Sequence, residues 1–352
     1  MACNARLGVL RKHFCSASKG VSAYKAAECQ QLKQPLVLLS KTSRPLEDHE
    51  VRIRNRACGL NFATYLTTRG EYQVKLEPPF VPGTEVAGEV LEVGKDVASL
   101  SPGDVVIGLL ETGGLQEVVT VPGFMLDIGA LTKVELKAKR DVDYCKLASL
   151  IVNYGTAWMA LTRKGLIKEG ETVLVTGASG GVGLAAVELA ARIFNCQVIA
   201  VCRDEKSKMV KQYGAHNTID YTRQNIRKEL KELAPSGVNI VFDAVGGDGA
   251  VDLVKSLAIE GRFITIGYTA GIPKIPANIL LLKSASAVGL WWGNTMQTVP
   301  DAFRESVETV TKMYLDGKIN PYIQQSFPLE KVNEAFGLIS SRKVVGKLVI
   351  EM

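Results

Sequence analysis

Apolar runs that end in glycine alternate with amphipathic stretches in the second half of the chain. Residues 173–175, Val-Leu-Val, precede a glycine cluster and are typical of a strand buried on both faces of a parallel sheet. From residue 182 to residue 193 apolar side chains recur at steps of three and four, which predicts a helix with one face against that sheet. A further run at 197–202 predicts the second strand of a βαβ unit.

The same alternation continues to residue 292. Further strands are predicted at 217–221, 238–245, 262–267 and 285–291. Repeated βα alternation indicates a doubly wound parallel sheet. Beyond it, the pattern predicts a helix at 301–315, an extended stretch at 323–327, a helix at 332–340 and a strand at 347–350.

The first half of the chain has a different pattern, in which short apolar runs are separated by glycine and proline. These runs lie at 51–57, 84–93, 104–109 and 117–121. They predict a mostly β domain, either a barrel or a partly open sheet. Residues 131–146 are polar and predict a connector that enters a helix, so the boundary between two domains is expected there. A chain of 352 residues is long enough for both cores.

Composition indicates a soluble α/β protein, because 47% of the residues are hydrophobic and 33 are glycine. No apolar run reaches the length that spans a bilayer, so membrane insertion is not expected. The seven cysteines are odd in number and scattered, without a C-x-x-C pair. This pattern indicates a reducing compartment and no disulfide framework.

The net charge of +6 is concentrated at the N-terminus. Five cations and no acidic residue precede Glu28: Arg6, Arg11, Lys12, Lys19 and Lys25. The remainder carries about +1 and has no interleaved basic and aromatic patch, so nucleic-acid binding is not expected. The basic, serine-rich segment 1–24 is typical of a mitochondrial transit peptide and predicts a matrix protein. The alternative is a basic tail on a cytoplasmic protein.

A dinucleotide fingerprint follows the strand at 173–175. Ala178, Gly180 and Gly183 occupy the three small-residue positions of G-x-G-x-x-G, which allow a tight turn, close backbone approach to a pyrophosphate and close helix packing. The motif has a predicted strand before it and a helix after it, as dinucleotide binding requires. The predicted cofactor loop is Ala178, Ser179, Gly180, Gly181, Val182 and Gly183.

The end of the strand at 197–202 indicates which dinucleotide binds. An acidic residue about 20 residues past the motif would bind the ribose of NAD, but Cys202 stands there. Arg203 and Lys206 could pair with a 2′-phosphate, which favours NADP(H). Asp204 and Glu205 leave the alternative that these cations form surface ion pairs.

The full set of motifs resembles the medium-chain dehydrogenase/reductase superfamily over nearly all of the chain after residue 24. The further motifs are Pro-Gly-Thr-Glu-Val-Ala-Gly at 82–88, Gly94, Pro-Gly-Asp-Val-Val at 102–106, Tyr-Gly-Thr-Ala at 154–157 and Gly-Lys at 346–347. Within the superfamily the chain is most similar to the zinc-free quinone oxidoreductase branch. Leu-Leu-Leu-Lys at 280–283 and Gly-Leu-Trp-Trp-Gly at 289–293, together with the basic N-terminus, resemble one group of proteins within this branch.

The resemblance implies an α/β fold with a GroES-like catalytic domain at 25–145, a Rossmann NADP-binding domain at 146–292, and a segment at 293–352 that returns to the catalytic domain. It also implies a homodimer and an NADP(H) cleft. Asn61 and Thr156 are expected near the nicotinamide. Lys206, Tyr221 and Arg342 are expected around the 2′-phosphate. The remaining cleft residues are expected to be Gly246, Ile266, Gly267, Tyr268, Thr269, Leu290, Trp291 and Trp292.

No metal site is predicted. Zinc members of the superfamily have a histidine where Thr84 stands, and the chain contains only His13, His49 and His216. A catalytic zinc needs three protein ligands in one pocket. Glu85 is therefore interpreted as a structural carboxylate that binds nearby backbone groups, with a direct chemical role as the alternative.

Hydride transfer to a quinone or enone places negative charge on the substrate oxygen, which hydrogen-bond donors must stabilise. Asn61 can donate through its amide, and Tyr65 and Tyr72 through their phenols. For Asn61 the alternative is a turn cap after Gly59, and for the tyrosines it is a packing role.

The site departs from its relatives at two positions. Thr64 replaces an aspartate and Leu66 stands where some active relatives have tyrosine. These changes indicate another substrate, a proton supplied by water, or weak turnover.

Three functions follow. The leading hypothesis is an NADPH-dependent, zinc-independent reductase of quinones or other conjugated carbonyl compounds. The second is an NADPH-binding sensor or RNA-binding protein with little catalysis. The third is a mitochondrial enoyl-thioester reductase.

Overall fold

The computed structural model describes residues 23–136 and 142–352. Within them the strands are β1 (Ala23–Glu28), β2 (Val37–Thr42), β3 (Glu50–Leu60), β4 (Glu85–Val93), β5 (Val105–Leu109), β6 (Val118–Pro122), β7 (Leu131–Lys133), β8 (Thr172–Thr176), β9 (Gln197–Val201), β10 (Asn217–Ile219), β11 (Val238–Asp243), β12 (Leu257–Thr265), β13 (Ser286–Gly289), β14 (Ile323–Pro328) and β15 (Lys347–Glu351).

The α-helices in these ranges are α1 (Phe62–Thr68), α2 (Phe124–Asp127), α3 (Tyr144–Leu147), α4 (Ile151–Met159), α5 (Gly181–Glu188), α6 (Asp204–Gln212), α7 (Ile226–Leu233), α8 (Ala250–Lys255), α9 (Ala277–Lys283), α10 (Trp292–Thr298), α11 (Pro300–Leu315) and α12 (Val332–Ser340). Two π-helical turns, Ala160–Lys164 and Leu189–Ile193, continue α4 and α5. A 3-10 turn, Leu329–Lys331, leads into α12.

The parallel sheet has the strand order β10-β9-β8-β11-β12-β13. Val173, Leu174 and Val175 of β8 are fully buried, because neighbouring strands and helices cover both faces of the sheet. The chain runs outward from β8 through β9 to β10, and then from β11 to β13 on the other side. This arrangement confirms the predicted doubly wound sheet and opens a crevice beyond the carboxyl ends of β8 and β11.

The second large sheet is mostly antiparallel and is centred on β3. This strand pairs with β4, β6 and β15, and the order along the sheet is β14-β15-β3-β4-β5-β7. Together the two sheets confirm the predicted α/β class with one mostly β domain and one doubly wound domain.

Residues 293–352 divide between the two sheets. Helices α10 and α11 contact α4 beside the parallel sheet, whereas β14 and β15 join the antiparallel sheet. The boundaries proposed at 145/146 and 292/293 remain predictions.

Some predicted elements differ from those observed. The connector predicted at 131–146 includes a short strand, β7, which pairs with β5, and its residues 137–141 lie outside the described ranges. The strand predicted at 285–291 ends at Gly289 because α10 begins at Trp292. The hairpin of β1 and β2 was not predicted, because β1 mixes small, charged and aromatic residues and the apolar run that opens β2 is short.

Most of the predicted transit segment, residues 1–22, lies outside the described residues. Across 23–136 and 142–352, no helix has both the length and the apolar character needed to cross a membrane.

Candidate active site

A cleft of about 1900 Å³ separates the loops of the two large sheets. This volume exceeds the roughly 300–1000 Å³ of a typical small-ligand pocket, so the cleft has room for a cofactor and a substrate. Nearly all predicted site residues line it: Asn61, Tyr65, Tyr72, Thr156, Ser179, Gly180, Gly181, Val182, Gly183, Arg203, Lys206, Tyr221, Gly246, Ile266, Gly267, Tyr268, Thr269, Leu290, Trp291, Trp292 and Arg342. Ala178 is fully buried and does not line the cleft.

The glycine loop connects β8 to α5 at one wall of the cleft. A Cβ on Gly183 would lie 2.3 Å from the carbonyl oxygen of Gly177, so the helix approaches the turn too closely for any side chain there. A Cβ on Gly180 would approach no atom nearer than 3.4 Å. The protein itself therefore leaves space beside Gly180, where the free amides at the start of α5 can bind an anion.

Asp243 fixes the loop that follows β11, residues 244–246. It was not predicted from the sequence. It is fully buried at the end of β11. Its carboxylate accepts hydrogen bonds from the Thr176 hydroxyl at 2.5 Å and from the amides of Val245 and Gly246 at 3.1 Å. These bonds hold the backbone of residues 244–246 against the glycine loop. An acidic residue at a strand end is the only sequence signal for this role.

A cationic corner lies beyond the end of β9. The Arg203 guanidinium donates to the Tyr221 hydroxyl at 3.1 Å, and the Lys206 ammonium donates to the backbone carbonyl oxygens of Val344 and Arg342 at 3.0 and 3.3 Å. Partial burial, and secondly the charge of Arg203, lower the pKa of Lys206. The exposed Arg342 side chain completes the set.

The acidic residues beside this corner do not occupy it. Glu205 approaches Arg203 only to 3.9 Å, with both side chains largely exposed. An exposed pair at this separation contributes little. The cations therefore remain available to a phosphate, as the NADP(H) hypothesis requires.

Asn61 lies at the other end of the cleft, at the start of α1. Its side chain makes no capping hydrogen bond to the helix, so the alternative of a turn cap is wrong. Instead, its amide nitrogen lies 3.3 Å from a Glu85 carboxylate oxygen, and its amide oxygen accepts a 2.7 Å hydrogen bond from Lys347. Lys347 was not among the predicted site residues.

Glu85 is fully buried and has three partners. Its Oε1 accepts from the Val152 amide at 3.0 Å, and its Oε2 is 2.6 Å from the Lys347 ammonium and 3.3 Å from the Asn61 amide nitrogen. The backbone contact agrees with the structural interpretation of this carboxylate. The link through Asn61 also connects it to the cleft.

The two candidate tyrosines differ in their surroundings. The ring of Tyr65 packs against Phe62 and Phe336, and the Arg69 guanidinium lies 5.5 Å from its centroid. These contacts agree with a packing role for Tyr65.

Tyr72 projects toward the cleft beside Trp291. Burial raises the pKa of the Tyr72 phenol, and the nearby Trp291 indole opposes this effect. An indole N–H only donates, so Trp291 does not compete for the phenolic proton of Tyr72. Tyr72 is thus the better placed of the two phenols.

Trp292 is a core residue that also borders the cleft. It is 3% exposed, its indole donates to the Ser306 hydroxyl at 3.0 Å, and its ring packs on Phe303. The ring leaves no space for a Cβ on Gly155. Trp292 therefore positions α4, which carries Thr156, against the cleft.

A polar contact joins the two sides of the cleft. The Gln73 side chain, from the loop after α1, donates to the Tyr268 hydroxyl at 2.8 Å. Tyr268 follows β12 of the parallel sheet. The hydrogen bond therefore bridges the cleft between the two sheets.

Comparison with known proteins gives consistent matches. The model of the alcohol dehydrogenase GroES-like domain matches residues 47–133, and that of zinc-binding dehydrogenases matches residues 181–312. A quinone oxidoreductase-like protein 2 homolog of Nematostella vectensis is 45% identical, over 94% of this chain and 90% of the relative.

Solved structures agree with these sequence matches. The quinone oxidoreductase of Thermus thermophilus, solved with and without NADPH, is 28% identical with a TM-score of 0.80, over 93% of this chain and 100% of that one. The CurK enoyl reductase is 25% identical with a TM-score of 0.80, over 94% of this chain and 99% of that one.

Proposed function

The chain belongs to the medium-chain dehydrogenase/reductase superfamily, and from this premise we propose that it is an NADPH-dependent reductase of quinones or other conjugated carbonyl compounds. It is an oxidoreductase with a small-molecule substrate, as its relatives indicate. The proposal adds the cofactor preference, the acceptor class and a mechanism without a metal ion.

The cationic corner is the observation that carries the choice of NADPH. Arg203, Lys206 and Arg342 lie at the end of β9, where an NAD enzyme would place an acidic residue. The NADPH complex of the Thermus relative supports the same choice. The free space beside Gly180 fits the pyrophosphate.

The acceptor class follows from the donors at the opposite end. Bound NADPH supplies a hydride to an electron-poor carbon of the acceptor. The amide of Asn61 then stabilises the negative charge on the acceptor oxygen, and Tyr72 or water supplies the proton. One hydride and one proton convert a quinone to a hydroquinone, or an enone to a saturated ketone.

A metal-free mechanism is supported by the groups around Glu85. The Lys347 ammonium lies 2.6 Å from its carboxylate, where it would repel a zinc ion. The nearby residues therefore do not fit a zinc site.

A second candidate function is enoyl-thioester reduction, which the likeness to the CurK enoyl reductase favours. It uses the same hydride chemistry on a different acceptor. Mitochondrial import through residues 1–24 and a homodimer belong to the proposal as expectations from the sequence. A sensor or RNA-binding role would require the cofactor but no turnover.

The test measures binding of NADPH and NADH, followed by NADPH oxidation with 9,10-phenanthrenequinone, a simple enone and a crotonyl thioester. Tight NADPH binding with turnover of the quinone or enone supports the proposal. Preference for the thioester favours the second candidate. Tight binding without any turnover contradicts catalysis and favours a sensor, and Thr64→Asp and Leu66→Tyr are then the first changes to make.

A further inference from the structure

A buried ion pair borders the cleft beside the proposed substrate donor. Lys347 is 2% exposed and Glu85 is fully buried, and their charged atoms are 2.6 Å apart. Lys347 also donates to the Asn61 amide oxygen at 2.7 Å. These residues come from β15, β4 and the junction between β3 and α1, so three distant segments of the chain meet at one point.

The pair determines which way the Asn61 amide faces. The amide oxygen faces the Lys347 ammonium, and the amide nitrogen lies 3.3 Å from Glu85 Oε2, the same oxygen that the ammonium contacts. A half-turn of the amide would place its N–H₂ group against the ammonium, and two donors would then face each other. One N–H can bond to Glu85, which leaves the second N–H for a ligand in the cleft.

Stability alone does not explain such a pair. Desolvation of two buried charges often cancels their attraction, so apolar residues of similar volume can be equally stable. The pair does, however, impose a single orientation on an amide that lines the cleft. An amide held in advance avoids the cost of reorientation during the reaction.

We propose that Lys347, held by Glu85, is a positioning residue that orients the Asn61 amide N–H toward the oxygen of the reducible carbonyl substrate. The inference rests on the proposed function. The ammonium–carboxylate pair holds the Asn61 N–H in place before negative charge develops on the substrate oxygen.

The test compares wild type with Asn61→Ala and with the double variant Lys347→Met/Glu85→Gln. The double change avoids leaving a lone buried charge, which would destabilise the fold. With saturating NADPH and 9,10-phenanthrenequinone, the double variant should lose about 10- to 100-fold in kcat, somewhat less than the roughly 10²–10³-fold for removal of a donor. The Kd for NADPH should change by less than about threefold, because the side chains of the pair bond to Asn61, to the Val152 amide and to each other, and not to the cationic corner.

Adding Asn61→Ala to the double variant separates positioning from a general structural effect. Because the pair acts through Asn61, the combined variant should be no slower than Asn61→Ala alone. Additive losses, or a double variant with wild-type kcat, would overturn the inference.

Arg262 and Glu171 supply a matched control pair, 2.7 Å apart and largely buried, at the opposite end of the parallel sheet. Arg262→Met/Glu171→Gln should change the melting temperature and leave kcat unchanged. A comparable kcat loss in this control would show that removal of any buried pair slows the enzyme, and would count against positioning.

A readout without turnover distinguishes this inference from the proposed function. The side-chain amide resonances of Asn61 in ¹⁵N-labelled protein, assigned with Asn61→Asp, should shift or broaden in the double variant as the amide becomes free to rotate. Unchanged resonances would overturn the positioning role even if wild type reduces no acceptor. If the resonances shift in the double variant but wild type reduces no acceptor, the proposed function is refuted and the orientation of Asn61 by Lys347 still holds.

Discussion

Among single residues, Lys206 provides the sharpest test of cofactor preference. Lys206→Ala should weaken NADPH binding by about 1–3 kcal/mol, because a charge-assisted bond to the 2′-phosphate is lost. NADH, which lacks this phosphate, should bind nearly as before. Arg342→Ala should have the same selective effect. Isothermal titration with both cofactors measures the difference.

Lys208 is the matched control, since it lies on the same helix α6, is exposed and does not line the cleft. Lys208→Ala should leave both affinities unchanged. An equal loss of NADPH and NADH affinity in Lys206→Ala would refute the assignment of the phosphate site.

The sequence located residues whose role depends on local spacing, and missed those whose role depends on distant partners. Gly180 and Gly183 were identified because a strand precedes them and a helix follows. Lys347 stands in an apolar strand, and its partner Glu85 is 262 residues earlier in the chain. In the sequence Lys347 was part of the Gly-Lys motif at 346–347, which indicated the family and not this contact.

At the level of elements, two glycines in the turn between β8 and α5 differ in their role: helix packing excludes a side chain at Gly183 but not at Gly180. Gly183→Ala should destabilise the protein by about 1–3 kcal/mol, because the added methyl group would meet the Gly177 carbonyl at 2.3 Å. Gly180→Ala should leave the melting temperature unchanged or slightly higher, since its nearest contact would be at 3.4 Å. Thermal unfolding of the two variants measures this contrast.

Gly180→Ala should weaken cofactor binding even though it does not lower the melting temperature. Its methyl group would occupy the space where the backbone approaches the pyrophosphate, so NADPH and NADH should both bind more weakly. If Gly180→Ala bound both cofactors like wild type, the pyrophosphate would have to lie elsewhere in the cleft.

Most strands and helices of the parallel sheet could be predicted, because their apolar runs are buried on both faces and bounded by glycine. The end of the helix at 182–193 could not: periodicity alone does not distinguish the α-helix up to Glu188 from the π-helical turn that follows it. The short β7 was missed because three residues carry too little pattern.

For the whole molecule, a buried network joins the parallel-sheet domain to the segment that leads into β14. Glu188 on α5 accepts hydrogen bonds from the Tyr154 phenol at 2.5 Å, the Arg192 guanidinium at 2.7 Å and the backbone N–H of Asn320 at 3.2 Å. Burial raises the pKa of Glu188, although these three partners oppose the effect.

This shift predicts a pH dependence of stability. Because the folded-state pKa lies above the unfolded value of about 4.5, the folded protein binds more protons between the two values. The contribution of Glu188 is thus fully present below about pH 4.5 and is lost as pH rises through the folded-state pKa. Glu188→Gln cannot titrate, so its free energy of unfolding should rise relative to wild type over that interval. Urea unfolding between pH 4 and pH 8 measures this, and parallel curves would contradict it.

The two-domain organisation and the family could be inferred from the order of the motifs, and the comparisons confirm the resemblance. The sequence pattern did not show that α10 and α11 pack beside the parallel sheet whereas β14 and β15 join the antiparallel sheet. That division depends on which surface each element covers, a property of the assembled molecule.

The pairing of β3 with β15 has a consequence for biosynthesis. Asn61 and Lys347 are 286 residues apart, and the ribosome adds about 5–20 residues per second. Roughly 15–60 s therefore pass between the synthesis of β3 and that of the strand that covers its edge. During this interval the apolar end of β3, residues 57–60, lacks its β15 partner, and its unpaired backbone groups invite association with other chains. We expect newly made protein to need chaperone protection at this edge, well after its cofactor domain has begun to fold.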